Sequence, residues 1–196
     1  MKQRLFIVSN RLPLTVVPEG EGFSCRPSSG GLVSSISAWL DSGGKDDFSE
    51  LYWVGVPGCD PASWDAAATG ADNGYNYLPV FIEDRQYEMY YNGFSNSLIW
   101  PLFHYFPSFA DYEPATFDAY MAANRDFAGR LIPQLRAGDV VWIHDYHLMP
   151  LAAMLRAACP ELSIGFFLHI PFPSYELFRV IPKRWQRAIL EGLLGA

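Results

Sequence analysis

The stretch Val140-Val141-Trp142-Ile143-His144-Asp145-Tyr146-His147 indicates the class of fold, because an apolar run changes there abruptly into polar residues. A run that is apolar at every position, without alternation, is typical of a parallel strand covered on both faces. Leu5-Phe6-Ile7-Val8 has the same character and ends in Ser9-Asn10-Arg11. Both stretches therefore predict buried parallel strands with polar side chains at their carboxyl ends.

Strand-like and helix-like segments alternate along the rest of the chain. Residues 12–29 are interpreted as a polar connection and residues 92–112 as loop and short helical turns. Alternation of this kind is typical of βαβ units. We therefore expect one α/β domain over residues 1–196, with a Rossmann-like, mostly parallel sheet and flanking helices. The predicted strands are residues 52–56, 77–82 and 164–170, and the predicted helices are residues 32–40, 83–91, 116–131 with Thr116 as N-cap, 148–158, a segment after Ser174, and 184–194.

Composition excludes some classes of protein. Of the 196 residues, 50% are hydrophobic, so the chain has enough apolar side chains for a core and is not a disordered tail. The formal net charge of −7 argues against a nucleic-acid-binding protein, whose binding surface is usually basic. It does not argue against a small anionic ligand, because one arginine can hold a phosphate in an acidic protein.

Cysteine use and the N-terminus predict the cellular setting. Cys25, Cys59 and Cys159 are odd in number and widely separated, which favours a reduced, cytoplasmic protein over one with a disulfide framework. The N-terminal apolar run is too short for a signal peptide, and no stretch approaches the roughly 20 apolar residues that cross a bilayer. We expect a soluble, cytoplasmic protein without a membrane partner.

Polar clusters at the strand ends predict a ligand site. Ser9-Asn10-Arg11 follows one strand, His144 to His147 lie at the end of another, and His169 lies near the end of a third. In open α/β sheets, ligands bind in the crevice beyond the carboxyl ends of the strands. We therefore expect Arg11, Asp145 and His169 to meet at one edge of a parallel sheet and to grip one ligand.

Three features have both a functional and an ordinary interpretation. Gly30-Gly31 before a helix would let a phosphate approach backbone N–H groups, or it is a simple glycine turn. Arg11 would pair with that phosphate, or it is a solvated surface arginine. The histidines and Asp145 could suggest zinc, but His144 and His147 lack the spacing of a helical zinc motif, and histidines also satisfy polar groups in cores.

Aromatic side chains crowd one Pro- and Asn-containing stretch. Such rings suit sugars, whose C–H faces stack on aromatic rings while the hydroxyls form hydrogen bonds. Most of these rings are expected to pack in the core, with one or two reaching a ligand. They are Tyr90, Tyr91, Phe94, Trp100, Phe103, Tyr105 and Phe106.

Six motifs stand in the order seen in trehalose-6-phosphate synthases, and the resemblance covers nearly the whole chain. The resemblance implies a GT-B glycosyltransferase, of which residues 1–196 are the N-terminal, acceptor-binding half, with the nucleotide-sugar-binding domain absent. The motifs are Ser9-Asn10-Arg11-Leu12-Pro13, Gly30-Gly31-Leu32, Tyr91-Asn92-Gly93-Phe94-Ser95-Asn96, Leu98-Ile99-Trp100-Pro101, Trp142-Ile143-His144-Asp145-Tyr146-His147-Leu148, and Gly165-Phe166-Phe167-Leu168-His169-Ile170-Pro171-Phe172-Pro173.

The resemblance implies roles for acceptor-binding residues. Arg11 holds the phosphate of glucose 6-phosphate, Tyr91 and Trp100 flank the acceptor, and Asp145 accepts hydrogen bonds from its hydroxyls. Val56 stands where family members commonly carry a tryptophan, which opens a second possibility, a related synthase or pseudo-glycosyltransferase with another sugar-phosphate or cyclitol-phosphate acceptor.

The resemblance also implies the donor site and the chemistry. Gly30 and Gly31 approach the diphosphate of the donor, UDP-glucose, and His169 contacts the donor glucose. His169 and Asp145 are the implied catalytic residues, neither of them a nucleophile. Glucose is transferred with retention, by front-side attack and without a covalent enzyme intermediate.

No metal and no cofactor are expected. The 196-residue chain alone is expected to be inactive, and a homo-oligomer of a longer protein is left open. A non-catalytic regulatory subunit and a metal hydrolase that uses the His/Asp cluster are the alternatives from other classes.

Overall fold

The predicted parallel strands form in both of the units into which the chain divides, Met1–Phe81 and Ile82–Ala196. The computed structural model describes residues 2–20, 22–28, 30–67 and 74–196. In the first unit, β4 (Glu50–Val56) lies between β1 (Arg4–Arg11) and β5 (Asn76–Pro79) and is parallel to both. The prediction of parallel strands from unbroken apolar runs is confirmed here, because Leu5 to Val8 in β1 are at most 2% exposed.

A β-hairpin precedes the first helix, where the sequence indicated only a polar connection. Strands β2 (Leu14–Glu19) and β3 (Gly22–Pro27) pair antiparallel along their whole length. Gly20, after β2, has a φ of 61°, a conformation that favours glycine. The interpretation of residues 12–29 as a polar connection therefore missed this hairpin, and Glu21 and Ser29 lie outside the described residues.

Two helices belong to this unit. Helix α1 (Gly31–Asp41) confirms the predicted helix at residues 32–40. Helix α2 (Pro61–Ala67) was not predicted. It begins after Asp60, whose Oδ1 accepts hydrogen bonds from the N–H groups of Ala62 at 2.9 Å and Ser63 at 3.0 Å, the pattern of an aspartate N-cap.

The second unit opens with a helical stretch that the sequence only partly predicted. Helix α3 (Asp84–Glu88) continues into a π-helical segment (Met89–Ile99) and then into α4 (Trp100–Phe103). The prediction of loop and short helical turns for residues 92–112 missed that the helical stretch continues without a break as far as Phe103. Asn, Gly and Ser dominate residues 92–97 and are poor helix formers, but tertiary packing overrides this preference.

The packing that holds this stretch is aromatic. Tyr90, Phe94 and Leu98, at intervals of four residues, have no solvent exposure. Phe94 contacts Tyr120 with ring centroids 4.5 Å apart and Phe117 at 5.3 Å. Burial of this apolar face therefore fixes a backbone that the local sequence does not favour.

Helix α5 (Pro114–Leu131) supplies Phe117 and Tyr120. It begins earlier than predicted, because the side chain of Glu113 caps it, while Thr116 Oγ1 donates a hydrogen bond to the Glu113 carbonyl at 2.7 Å from inside the first turn. The prediction of Thr116 as the N-cap was therefore wrong. The end of the helix at Leu131 agrees with the prediction.

The remaining elements complete the second unit. Strand β6 (Val140–His144) pairs parallel with β7 (Ser163–Phe167), which ends three residues earlier than predicted. None of the helices in the described ranges combines the length and the apolar character needed to cross a membrane. The helices that follow β6 are α6 (Leu151–Ala158), α7 (Tyr175–Phe178) and α8 (Lys183–Leu193).

Helix α8 packs closely on the chain that leads from β6 into α6, and Gly192 makes this approach possible. A Cβ at Gly192 would overlap the carbonyl oxygen of Met149 and the Cα of Pro150. Gly129, inside α5, differs in that a Cβ there would meet nothing within 4 Å.

We predict opposite effects for alanine at these two helical glycines. Gly192→Ala should lower the free energy of unfolding by about 1–3 kcal/mol, because overpacking outweighs the higher helix propensity of alanine. Gly129→Ala should raise it by about 0.5–1 kcal/mol. Urea unfolding followed by circular dichroism measures both, and equal effects of the two substitutions would contradict the close packing at Gly192.

Candidate active site

Asp145 joins the ends of β6 and β7. Its φ of 74° is unusual for a residue other than glycine, and such strain persists only where surrounding bonds impose it. The Asp145 N–H donates to the carbonyl of Phe167 at 2.8 Å, and Asp145 Oδ1 accepts hydrogen bonds from the N–H groups of Tyr146 at 3.0 Å and His169 at 3.4 Å. The predicted meeting of Asp145 and His169 at neighbouring strand ends is therefore found.

The Asp145 carboxylate is only partly accessible to water. Its side chain is 20% exposed, and its Oδ2 lies 3.9 Å from Nδ1 of His147. Burial raises the pKa of Asp145 above its ordinary value. One carboxylate oxygen thus accepts hydrogen bonds from backbone N–H groups, while the other lies beside an imidazole and is only partly exposed to water. Hydrogen bonds to a ligand are stronger in such a partly buried environment.

A pair of imidazoles lies behind Asp145. Nδ1 of His144 is 3.0 Å from Nε2 of His169, and the two rings are stacked with centroids 5.3 Å apart. His144 is only 1% exposed, whereas His169 is exposed. Burial, and next the nearby His169, lower the pKa of His144 to about 4, so His144 is neutral near pH 7.

A column of rings connects the π-helical segment with the turn after Asp145. Tyr91 stacks on His147 at 5.4 Å and 13° and on Tyr87 at 5.4 Å and 14°, and His147 stacks on Tyr146 at 4.1 Å. Tyr91 is therefore held by stacking contacts with two other rings and is only partly exposed.

Trp100 differs from Tyr91, because its side chain is 43% exposed. Its ring stacks on His104 at 4.2 Å. It borders a cavity of about 370 Å³, a volume within the range of small-molecule sites, roughly 300–1,000 Å³. The cavity is lined by Asn96, Ser97, Trp100, Pro101, Phe106 and Phe109.

Asn96 links this cavity to the Asp145 segment. The hydroxyl of Tyr146 donates to Asn96 Oδ1 at 2.9 Å, and the hydroxyl of Tyr120 donates to the carbonyl of Tyr146 at 2.8 Å. The sequence reasoning gave neither Asn96 nor Tyr146 a role. No sequence signal could have paired them, because the two residues are 50 positions apart and the helical stretch that carries Asn96 was not predicted.

Arg11 lies in the first unit, at the end of β1, and its side chain is exposed. The buried Trp53 Nε1–H donates to Ser9 Oγ at 2.9 Å, and Ser9 Oγ–H donates to the Arg11 carbonyl at 2.7 Å. Gly55 permits this arrangement, because a Cβ there would lie 2.6 Å from the Arg11 carbonyl carbon. Val56 is the residue paired with Arg11 in the parallel register.

Gly30 and Gly31 lie at the start of α1. Gly30 has a φ of 177°, an extended backbone that any residue adopts, and a Cβ at either position would meet nothing within 4 Å. The fold itself therefore does not require glycine at either position. The Ser28 N–H donates to the Pro13 carbonyl at 2.8 Å, so the approach to α1 begins beside the chain that follows Arg11.

The histidine cluster does not form a metal centre within the described ranges, where no group of three or more His, Cys, Asp and Glu side chains is arranged to hold a metal ion. Instead, Nδ1 of His144 is directed to His169, and Nδ1 of His147 lies near Asp145. The joining of Arg11 to Asp145 and His169 stays a prediction.

Known proteins resemble the chain along its whole length. A family model described as glycosyltransferase family 20 matches residues 3–196. A bifunctional trehalose-6-phosphate synthase/phosphatase of Thermoproteus tenax is 43% identical over 196 residues, which are 98% of this chain and 26% of that protein.

Solved structures agree with this finding. An alpha,alpha-trehalose-phosphate synthase (UDP-forming) from Burkholderia xenovorans in complex with glucose-6-phosphate is 34% identical, with a TM-score of 0.74, over 98% of this chain and 38% of that chain. A structure described as trehalose-6-phosphate from E. coli bound with UDP-2-fluoro glucose is 31% identical, with a TM-score of 0.75, over 98% of this chain and 38% of that chain.

These similarities confirm the predicted fold class, a Rossmann-like α/β fold like that of the GT-B glycosyltransferases which it resembles. The chain spans between 25% and 41% of the length of the first curated relatives that it matches.

The buried His144 predicts a pH dependence of stability. Its pKa is about 4 in the folded chain and 6.5 when unperturbed, so below about pH 6.5 the unfolded chain binds a proton that the folded chain refuses. The contribution of His144 to the free energy of unfolding should therefore fall, by up to about 3 kcal/mol, as the pH decreases from about 6.5 to 4.

We expect His144→Asn to remove this dependence. The difference in unfolding free energy between wild type and variant, measured by urea denaturation at several pH values, should be constant above about pH 6.5 and shift in favour of the variant below it. His104→Asn, at a histidine outside the cluster, is the matched control. A difference that does not vary with pH would contradict the neutral, buried state of His144.

Proposed function

Because the chain belongs to glycosyltransferase family 20, we propose that it is the acceptor-binding part of an enzyme that transfers glucose from UDP-glucose to glucose 6-phosphate, forming trehalose 6-phosphate. The observation that carries the proposal is the partly buried Asp145 carboxylate, fixed between two strand ends beside His169. The activity for which the relatives are named and the two ligands of the related structures support these substrates.

The acceptor is bound by polar groups around its ring. Asp145 Oδ2, the oxygen not bonded to backbone N–H groups, accepts hydrogen bonds from sugar hydroxyls. The exposed ring of Trp100 offers a face for the C–H surface of the sugar, and Tyr91, held by its stacking on Tyr87 and His147, flanks the acceptor. The Arg11 guanidinium pairs with the phosphate, as the planar, permanently charged fork of arginine favours.

The donor is bound through its diphosphate and its glucose. The first backbone N–H groups of α1 carry the positive end of the helix dipole, and Gly30 and Gly31 leave room for a phosphate to approach them. His169 contacts the donor glucose as a hydrogen-bonding group and does not attack it.

The reaction proceeds with retention, by attack of the acceptor hydroxyl on the face of the donor that the diphosphate leaves. No covalent enzyme intermediate forms, and the departing phosphate takes the acceptor proton. The protein contributes by orienting the two substrates and by stabilising the charge of the leaving group. The family relatives are longer than this chain, so we propose that residues 1–196 alone bind the acceptor weakly and turn over negligibly.

The setting of the enzyme is proposed on chemical grounds. Free Cys25, Cys59 and Cys159 support a reducing, cytoplasmic location. We propose that the reaction needs neither a metal nor an organic cofactor, and that residues 1–196 act as one acceptor-binding domain. The net charge of −7 supports a protein that does not bind nucleic acid.

Arg11 should matter for the phosphate and not for the sugar. In titration calorimetry, Arg11→Ala should weaken the binding of glucose 6-phosphate by about tenfold to hundredfold, the loss of one charge-assisted contact, and leave binding of glucose unchanged. Arg187→Ala removes an exposed arginine that pairs with Glu191 on α8, and it serves as the control. Equal heats for wild type and Arg11→Ala would remove Arg11 from the site.

Asp145 should act through its charge. Asp145→Asn keeps the shape of the side chain and still accepts the backbone hydrogen bonds. We expect it to fold with an unchanged circular dichroism spectrum and to weaken the binding of both glucose 6-phosphate and glucose by about fivefold to tenfold, since a neutral acceptor forms weaker hydrogen bonds than a carboxylate. Unchanged affinity for both ligands would exclude Asp145 from the acceptor site.

A further inference from the structure

We propose that His144 is a positioning residue that holds the proton of His169 on Nδ1, so that His169 presents an N–H donor to its ligand. The proposal concerns the tautomer of His169, and it rests on the proposed function only in naming the donor sugar as that ligand.

The contact between the two rings requires one donor and one acceptor. Nδ1 of His144 and Nε2 of His169 are 3.0 Å apart, a normal hydrogen-bond distance. A neutral imidazole carries one N–H and one bare nitrogen. Therefore either His144 donates from Nδ1 and His169 carries its proton on Nδ1, or His169 donates from Nε2 and His144 carries its proton on Nε2.

The surroundings of His144 favour the first arrangement. Nε2 of His144 is buried and has no hydrogen-bond partner among the described residues. Its ring packs against Trp142 at 4.4 Å and is tilted against Phe167 at 6.5 Å. A buried N–H without an acceptor is less favourable than a bare nitrogen lone pair without a donor. The proton of His144 is therefore on Nδ1, directed at His169.

The neutral state of His144 supports this assignment. Its side chain has almost no contact with water, and a protonated ring would carry a second N–H at Nε2 without a partner. The lowered pKa of about 4 agrees with a ring that stays neutral near pH 7.

The consequence concerns the exposed ring of His169. Because its Nε2 accepts the hydrogen bond from His144, a neutral His169 carries its own proton on Nδ1. The backbone N–H of His169 donates a hydrogen bond to Asp145 Oδ1 at 3.4 Å, and the centroid of its ring lies 4.6 Å from that of Phe167. Both the backbone and the ring of His169 are therefore held in place. His169 is thus set to donate a hydrogen bond to a sugar or phosphate oxygen, and in its neutral form it is not a general base.

Nitrogen-15 NMR of the 196-residue chain tests the proposal directly. The chain contains only four histidines, so histidine-labelled protein gives a small set of imidazole signals that substitution can assign. Long-range proton–nitrogen correlation at about pH 8, well above the ordinary histidine pKa of about 6.5, distinguishes a protonated from a bare ring nitrogen. We expect both His144 and His169 to be protonated on Nδ1.

Two isosteric variants separate the effect of the donor from that of shape. His144→Asn places an amide N–H near the position of Nδ1 and should keep the His169 proton on Nδ1. His144→Asp places an acceptor there and should move the proton to Nε2. The signals of His104, outside the cluster, report whether each variant keeps its fold.

The wild-type spectrum alone shows which ring nitrogen of His169 carries the proton, even if a variant does not fold. A His169 proton on Nε2, averaging between the two tautomers, or the same tautomer in the Asn and Asp variants would overturn the proposal. Failure of glucose 6-phosphate to bind would instead count against the proposed function, because the spectrum is recorded without any ligand.

Discussion

The site depends on the bonds that Asp145 makes to the chain after β7. Its N–H is bonded to the carbonyl of Phe167, and its carboxylate accepts the N–H of His169, at the cost of a positive φ. These bonds extend the parallel pairing of β6 and β7 past the last residues of both strands. They bring Asp145 and His169, which are distant in sequence, together at neighbouring strand ends.

Aromatic packing divides the neighbouring side chains into supporting and accessible groups. Tyr91 and His147 are stacked within a column and hold the turn after Asp145 in place, whereas Trp100 keeps nearly half of its surface open. Gly192 contributes as well, because it lets α8 pack closely on the chain at Met149. Trp100 is therefore available to a ligand, while the rings of Tyr91 and His147 mainly support the turn after Asp145.

The parallel strands and the strand-end residues could be predicted from the sequence, whereas the β2–β3 hairpin and the helical stretch over residues 92–103 could not. Val140 to Ile143 signal burial by themselves, and His144 to His147 are unusual polar residues to find directly after such a run. Residues 92–97 carry the opposite signal, since their preference is for turns and only the burial of Phe94 and Leu98 keeps them helical.

Contacts in the site between residues far apart in the sequence could not be predicted from the sequence either. Tyr146 and Asn96 are 50 residues apart in the sequence, and only the folded chain brings them together. The pairing of His144 with His169 follows from the register of β6 and β7, which pairs His144 with Phe167, and register is not readable from two apolar runs alone.

The π-helical segment has an evolutionary consequence. Its wide turns set the angle at which Asn96 faces Tyr146, and one residue more or fewer would rotate everything beyond it about the helix axis. We therefore expect descendants of this gene to exchange surface side chains in residues 89–99 more readily than they gain or lose length there.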